Sequence, residues 1–348
     1  MPTDARESDG TLEWDSTTII VVNLRAGNVK GLGYTYGHAS SAGLVRDELF
    51  PLVKGGDPLN IGQHWEIMNR SVRNVGRNGI ASSAIAALEM ALWDLKGKLL
   101  GVSLVRLLGA VREKIPVYGS GGFTSYTKKQ LCRQFEDWAA AGISMMKMKI
   151  GREPDRDAMR VQWARQAVGE KVELFVDANG AYTMKQALAV AEKLAAKNVR
   201  WFEEPVSSDD LRGLRELQQR APAEMETAAG EYNYDLFQAR RMLETGAVDV
   251  LQADATRCGV TGFLQMASLC EAFQIPLSAH TAPAVHAHLG CVAGRARHVE
   301  YFHDHARIEQ MFFEGATTRQ QNGFLRPDPA APGLGLEFKA AAAAKFEI

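Results

Sequence analysis

Ionisable side chains recur along this chain at the spacing of a repeating structural unit. They are Lys149, Asp177, Glu203, Glu231, Asp254, His280 and Glu300, each at the end of a short apolar run. The intervals, from 177 − 149 through to 300 − 280, are 28, 26, 28, 23, 26 and 20 residues. One strand–helix unit occupies about that length. The apolar runs number eight, at 116–118, 145–150, 174–176, 199–202, 225–229, 248–252, 275–279 and 299–302. Segments between them, such as 184–197 and 262–273, carry helical periodicity. This alternation predicts a parallel sheet covered on both faces. Eight units in about 200 residues fit a closed barrel better than an open sheet. Barrel active sites lie at the C-terminal ends of the strands, so the seven groups are expected around one mouth.

Before residue 112 the pattern is mixed. Residues 17–22 and 31–36 read as two strands joined by a turn. Ala84, Leu88, Ala91, Leu92, Leu95 and Leu99 recur at three- and four-residue spacing, with Gly101 as the stop, which predicts a long helix. Strands followed by helices suggest an α+β unit. Lys plus Arg is 40 and Asp plus Glu is 41, a net charge of −1, which excludes the basic footprint of a nucleic-acid or anionic-membrane binder. No apolar run approaches the roughly 20 residues of a membrane span. The start, Met1-Pro2-Thr3-Asp4, has no signal-peptide pattern. Cys132, Cys258, Cys270 and Cys291 show no CxxC spacing and are expected to be reduced, small buried hydrophobes in a cytoplasmic protein.

The strand-end groups suggest a chemistry. Asp177, Glu203 and Glu231 close three consecutive strands. Converging carboxylates repel unless a cation lies between them, and oxygen-only ligands select a hard ion, Mg²⁺ first. Asn179 is expected on the same side as Asp177 if the strand continues, placed to hold a substrate oxygen. Glu204 should point away from Glu203 and serve as a structural ion-pair partner. Lys147 and Lys149 share one face of their strand. Two buried ammonium groups lower each other's pKa, and a lysine near neutrality can act as a base. Asp254 and His280 end neighbouring strands, where a carboxylate fixes the imidazole tautomer and raises its basicity. That dyad is expected across the barrel from the lysines. Glu300 is expected either to donate a hydrogen bond to a developing oxyanion if protonated, or to bind substrate. His286-x-His288 and His303-x-His305 read as surface or interface histidines.

The set Lys147-Met148-Lys149, Asp177-Ala178-Asn179, Glu203-Glu204-Pro205, Gly230-Glu231, Asp254-Ala255-Thr256-Arg257 and His280 resembles the enolase superfamily, specifically its mandelate racemase subgroup. The resemblance covers nearly the whole chain. It implies an α/β fold: a (β/α)7β TIM-type barrel over 113–309 and an α+β capping domain over 1–112, to which 310–348 returns. It also implies that Asp177, Glu203 and Glu231 bind Mg²⁺, and that Lys149 is one base with Lys147 beside it. His280, paired with Asp254, would be the opposite base or acid, and Glu300 would support the enolate. The implied reaction removes the α-proton of a small carboxylate through an enediolate, most often to dehydrate a sugar acid (aldonate or aldarate). The alternatives are racemisation or epimerisation of a 2-hydroxy acid, and lactonising or cycloisomerising chemistry. A non-catalytic metal-binding barrel is the reading from another class. A polyol would be held from the cap by Trp14, Tyr34, Tyr36 and His38. A homo-oligomer is expected by analogy. Two departures stand out. Cys258-Gly259-Val260-Thr261 has one glycine where the subgroup has two, which bears on the loop past Asp254. The chain also begins inside the family's capping loop, so either the capping sheet lacks an edge strand or the start of the sequence is internal.

Overall fold

The computed structural model describes residues 1–316 and 322–347. Eight parallel strands form the barrel in chain order. With the strands of the cap numbered first as β1 (Pro2–Ser8), β2 (Glu13–Ser16), β3 (Ile19–Ala26) and β4 (Val29–Tyr36), these are β5 (Ile115–Gly121), β6 (Met145–Lys149), β7 (Glu173–Asp177), β8 (Val199–Glu203), β9 (Glu226–Ala229), β10 (Val250–Ala253), β11 (Leu277–Ala279) and β12 (Ala296–Phe302). Each pairs with its successor, and β12 pairs back onto β5, so the sheet is closed. All eight apolar runs are strands, because each is buried from both sides, by barrel interior and by helix. The helices begin where the sequence supplies caps. Thr127 and Thr183 form capping boxes with Gln130 and Gln186, and the Asp210 and Asp235 side chains accept from the backbone N–H three residues on.

Alternation along the strands sorts the interior into layers. Tyr118, Phe175 and Trp201 fill the lower barrel, the last two stacked at 5.2 Å, with His298 against them. One step further along, Lys149 is level with Asp177 and Asp177 with Glu203. Aromatic bulk thus closes the barrel from below and leaves the charged layer at the mouth.

The cap consists of two hairpins and helices. The β3–β4 hairpin packs on the long helix Ile80–Leu100, which ends at left-handed Gly101. Among the described residues no third strand pairs with β3 or β4. The helix bears buried Glu89, whose carboxylate accepts from Val260 N (2.8 Å) and Thr261 N (3.0 Å) of the barrel helix Ala255–Phe273. That barrel helix breaks at Gly259, which has φ 76°, and a Cβ there would lie 2.8 Å from the Trp65 ring. The single glycine of the sequence motif therefore suffices. It makes the break, and Glu89 caps the helix that restarts at Val260. From the C-terminal segment, Leu334 N donates to Asp94 of the same cap helix at 2.6 Å. Among the described residues, no helix is long and apolar enough to cross a membrane.

Cap and barrel also meet at Glu309, on the helix His303–Phe312. Its carboxyl accepts from Tyr34 Oη (2.7 Å) and Ala284 N (2.9 Å) and is fully buried, and burial pushes its pKa up to about 8. A raised carboxyl pKa means the folded state holds a proton that the unfolded chain releases. Stability is therefore expected to fall as pH rises from about 4.5 to about 8, by up to about 1.4 kcal/mol per pH unit. Glu309→Gln should flatten this slope, since Tyr34 can turn its hydroxyl to accept from the amide. Urea unfolding at several pH values checks it, and an unchanged slope would assign the burden elsewhere.

Candidate active site

The seven strand-end groups do meet at one mouth. Ligand oxygens of Asp177, Glu203 and Glu231 lie within 4.8 Å of one another, all buried. Burial and then the Asp177 charge push Glu203 up to about 8, as expected of crowded carboxylates. Trp201 Nε1 donates to Glu203 Oε2 at 2.9 Å, and Asn179 N donates to Asp177 Oδ1 at 2.9 Å. Glu231 sits two residues past the end of β9 and keeps Oε2 free of any hydrogen bond. Three converging oxygen donors, one without a hydrogen-bond partner, fit a hard divalent cation such as Mg²⁺.

The lysines differ from expectation. Lys147 Nζ lies 2.5 Å from Glu203 Oε1, 2.8 Å from Glu300 Oε1 and 3.6 Å from Asp177 Oδ2, and Lys149 Nζ lies 2.5 Å from Asp177 Oδ2. Burial pulls both pKa values down, but the carboxylates outweigh it and hold both above the ordinary lysine value. The expected mutual depression is thus reversed, because the carboxylates around the two ammonium groups outweigh their repulsion of each other. Glu300 is likewise shifted, toward its ionised form. Burial pushes its pKa up, but Lys147 and His280 bring it down to about 2, and its Oε2 accepts from Thr281 N at 3.0 Å.

His280 Nδ1 lies 2.9 Å from Asp254 Oδ2, and Asp254 Oδ1 accepts from Thr256 N and Oγ1 at 2.8 and 2.7 Å. A carboxylate only accepts, so Nδ1 carries hydrogen and Nε2 is turned to the carboxylate ring, 3.3 Å from Glu231 and 3.6 Å from Glu300. Burial opposes the imidazolium, yet Glu231, Glu300 and Asp254 hold its pKa up at about 10.

A cavity of about 320 Å³ opens above these groups. Lys149, Asn179, Glu231, Asp254, His280 and Glu300 line its floor, and Trp14 and Tyr36 its cap side. Asn179 arrives by a left-handed turn (φ 47°) rather than a continued strand, and its Oδ1 is buried without a partner. Glu204 also departs from alternation (φ 37°). It is buried with Oε1 unpartnered and forms no ion pair among the described residues, because its neighbours include Glu231 and Asp177. Tyr34 is a core residue bonded to Glu309, away from the cavity, and His38 is exposed, with Nδ1 2.7 Å from Ser40 Oγ. Three of the four paired histidines are not surface groups either. His286 and His288 are buried, and His305 lines the cavity, stacked on Tyr36 at 3.4 Å. His303 is half-buried and faces Asp4 at 3.2 Å. The four cysteines are free, three of them buried.

Sequence reasoning gives Arg257 no role and reads His286 as a surface or interface group. Arg257 donates to Glu231 O (2.8 Å) and Oε1 (3.3 Å) and lies 3.6 Å from Asp254, so it ties a carboxylate of the ion site to the dyad. His286 accepts from Ala255 N at 2.9 Å through Nε2 and bonds Thr281 O at 2.7 Å through Nδ1. The neutral ring therefore pins the loops carrying Asp254 and His280 together.

Models of two domain families match the chain: the mandelate racemase/muconate lactonizing enzyme N-terminal domain over residues 8–109, and the enolase C-terminal domain-like family over 130–342. The chain belongs to the mandelate racemase/muconate lactonizing enzyme family. A family member from Rubrobacter xylanophilus, described as mandelate racemase/muconate lactonizing enzyme-like, superposes with TM-score 0.96 at 51% identity, over 99% of this chain and 96% of that one. The 3,6-anhydro-alpha-L-galactonate cycloisomerase of Streptomyces coelicolor is 32% identical, over 80% of this chain and 79% of its own. The L-talarate/galactarate dehydratase of Salmonella typhimurium is 30% identical, over 82% and 73%. A structure of that dehydratase liganded with Mg and L-lyxarohydroxamate superposes with TM-score 0.89 at 26% identity, over 99% of this chain and 89% of that one.

The β1–β2 hairpin covers the cavity like a lid, lining it with Asp9, Trp14 and Ser16. Its tip residue Gly10 packs so closely on the carbonyls of Ile150 and Ala178 that a Cβ would lie 2.7 Å from the former. Gly10→Ala is expected to lift the lid and lower kcat/KM on the order of 10²-fold with little change in Tm. A variant with native kinetics would show that the lid does not need this contact.

Proposed function

We propose that the protein is a hydro-lyase that dehydrates a sugar acid. The observation that carries this reading is one cavity holding a carboxylate trio suited to Mg²⁺, a lysine, and an imidazolium backed by Asp254. Asp177, Glu203 and Glu231 hold the ion. Bound there, it would supply positive charge that offsets the three carboxylates and stabilises the negative charge left when the α-proton goes. Lys149 takes the α-proton of the substrate. His280, kept positive by Glu231, Glu300 and Asp254, gives its Nε2 proton to the β-hydroxyl. The C–O bond breaks, water leaves, and the enol product becomes a 2-keto-3-deoxy acid. Lys147 and Glu300 neutralise each other beneath the reacting carbon, and Asn179 Oδ1 accepts from a substrate hydroxyl.

The test is a panel of aldonic and aldaric acids supplied with Mg²⁺. Formation of keto acid with loss of one water supports the reading. Proton exchange with no mass change would instead favour racemisation. Ring opening of an anhydro acid or lactone without loss of water would favour the cycloisomerase reading, which similarity to the Streptomyces coelicolor cycloisomerase recommends.

A further inference from the structure

The cavity has two unlike ends. Its floor holds the charged groups described above. Its cap side is built from Asp9, Trp14, Thr18, Tyr36, Phe302 and His305. His305 is neutral there, since burial brings its pKa down to about 3. Asp9 is therefore the charged group on that side. It is buried (7% exposed) and forms no ion pair among the described residues. Its Oδ1 is committed to the hairpin turn, accepting from Thr11 N and Leu12 N at 2.6 Å each and from Thr11 Oγ1 at 3.2 Å. Its backbone carbonyl accepts from Thr124 Oγ1 at 2.9 Å, which fixes the tip over the barrel. Among the described residues, none donates a hydrogen bond to Oδ2. A carboxylate oxygen that faces a ligand cavity and has no cation beside it needs a donor once a bound ligand displaces the cavity's water. A sugar hydroxyl supplies one. A second substrate carboxylate supplies none and adds repulsion.

We propose that Asp9 Oδ2 accepts a hydrogen bond from a hydroxyl in the distal part of the substrate, so that the enzyme takes aldonates, with one carboxylate and a neutral polyol tail, and excludes aldarates. This rests on the dehydratase reading above. Trp14 and Phe302 supply apolar walls for the carbon chain, and Thr18 and Tyr36 further hydroxyl groups. Asp9 is thus a specificity residue, outside the reacting atoms.

The experiment compares kcat and KM on matched five- and six-carbon aldonates and aldarates for the wild type and Asp9→Asn. Asparagine Oδ1 accepts the same two backbone N–H groups, so the turn is kept, while its amide replaces an acceptor with a donor. Wild type should prefer aldonates by about 10- to 100-fold in kcat/KM. In Asp9→Asn the aldonate KM should rise about tenfold, with kcat changed less, and the aldarate kcat/KM should rise, collapsing the preference. Wild-type turnover of aldarates as efficient as of aldonates, or an unchanged ratio in Asp9→Asn, overturns the Asp9 assignment alone. Failure of every acid to exchange its α-proton overturns the dehydratase reading, and this one with it. The wild-type comparison needs no variant to fold.

Discussion

Lys149→Ala is expected to stop both α-proton exchange and water loss, whereas His280→Asn is expected to stop water loss and leave exchange running. Each change should lower turnover by about 10²- to 10⁴-fold. The difference follows from what each nitrogen faces. His280 is held positive by two carboxylates besides Asp254, and its Nδ1 is fully committed, so Nε2 is suited to give a proton. Lys149 pairs with Asp177, which also belongs to the trio suited to the ion. In the loaded enzyme that carboxylate is shared, and burial then favours the neutral amine that can take a proton. Asparagine at 280 can still donate to Asp254, which limits structural damage. Loss of the α-proton signal in deuterated water, measured beside keto-acid formation, separates the two steps. Exchange that survives in Lys149→Ala and vanishes in His280→Asn would swap the roles. Unchanged turnover in either variant would remove that residue from the reaction.

Much of this site was legible because two regularities coincide. A strand–helix unit has a nearly fixed length, and a charge ending an apolar run stands out, so the positions from Lys149 to Glu300 could be read in phase. What lies beyond the strand ends could not. Asn179, Glu204, Thr281 and Ala282 all adopt positive φ (47°, 37°, 51° and 39°), and alternation says nothing about where a chain goes after such a turn. Strand alternation therefore puts Glu204 on the wrong side, away from Glu231 and Asp177. Lysine pKa values depend on which charge is nearer, and sequence spacing gives the face of a strand but not the distance to Glu203 or Asp177. The cap was least legible. Tyr34 and Tyr36 share one face of their strand, and only docking against the barrel decides that Tyr34 is buried on Glu309 while Tyr36 reaches the cavity. One signal was available: Asp9-Gly10 is a turn dipeptide, which marks the hairpin tip that seats over the mouth.

Mg²⁺ at a hundredfold excess over its Kd should stabilise the wild-type protein against unfolding by about 2.7 kcal/mol, and a chelator should reverse this. Asp177→Asn, Glu203→Gln and Glu231→Gln should each lose most of that gain, together with about 10³-fold or more in turnover. Loss of fold is a weaker explanation in each case. Glutamine at 203 keeps an oxygen for Trp201 Nε1, and Lys147 retains Glu300. Asparagine at 177 keeps an acceptor for Asn179 N. Glutamine at 231 leaves Arg257 its bond to the backbone carbonyl of that residue. What each change removes is one negative charge from a trio in which burial, and then the Asp177 charge, already push Glu203 up to about 8. Relief of that crowding should leave the ion-free variants close to wild type in stability, so the ion-dependent shift is the quantity that discriminates. A variant that keeps the full shift would show that its carboxylate is not a ligand. Three variants that all keep it would place the ion elsewhere, and the charged mouth would then be a buried salt-bridge network built around Lys147.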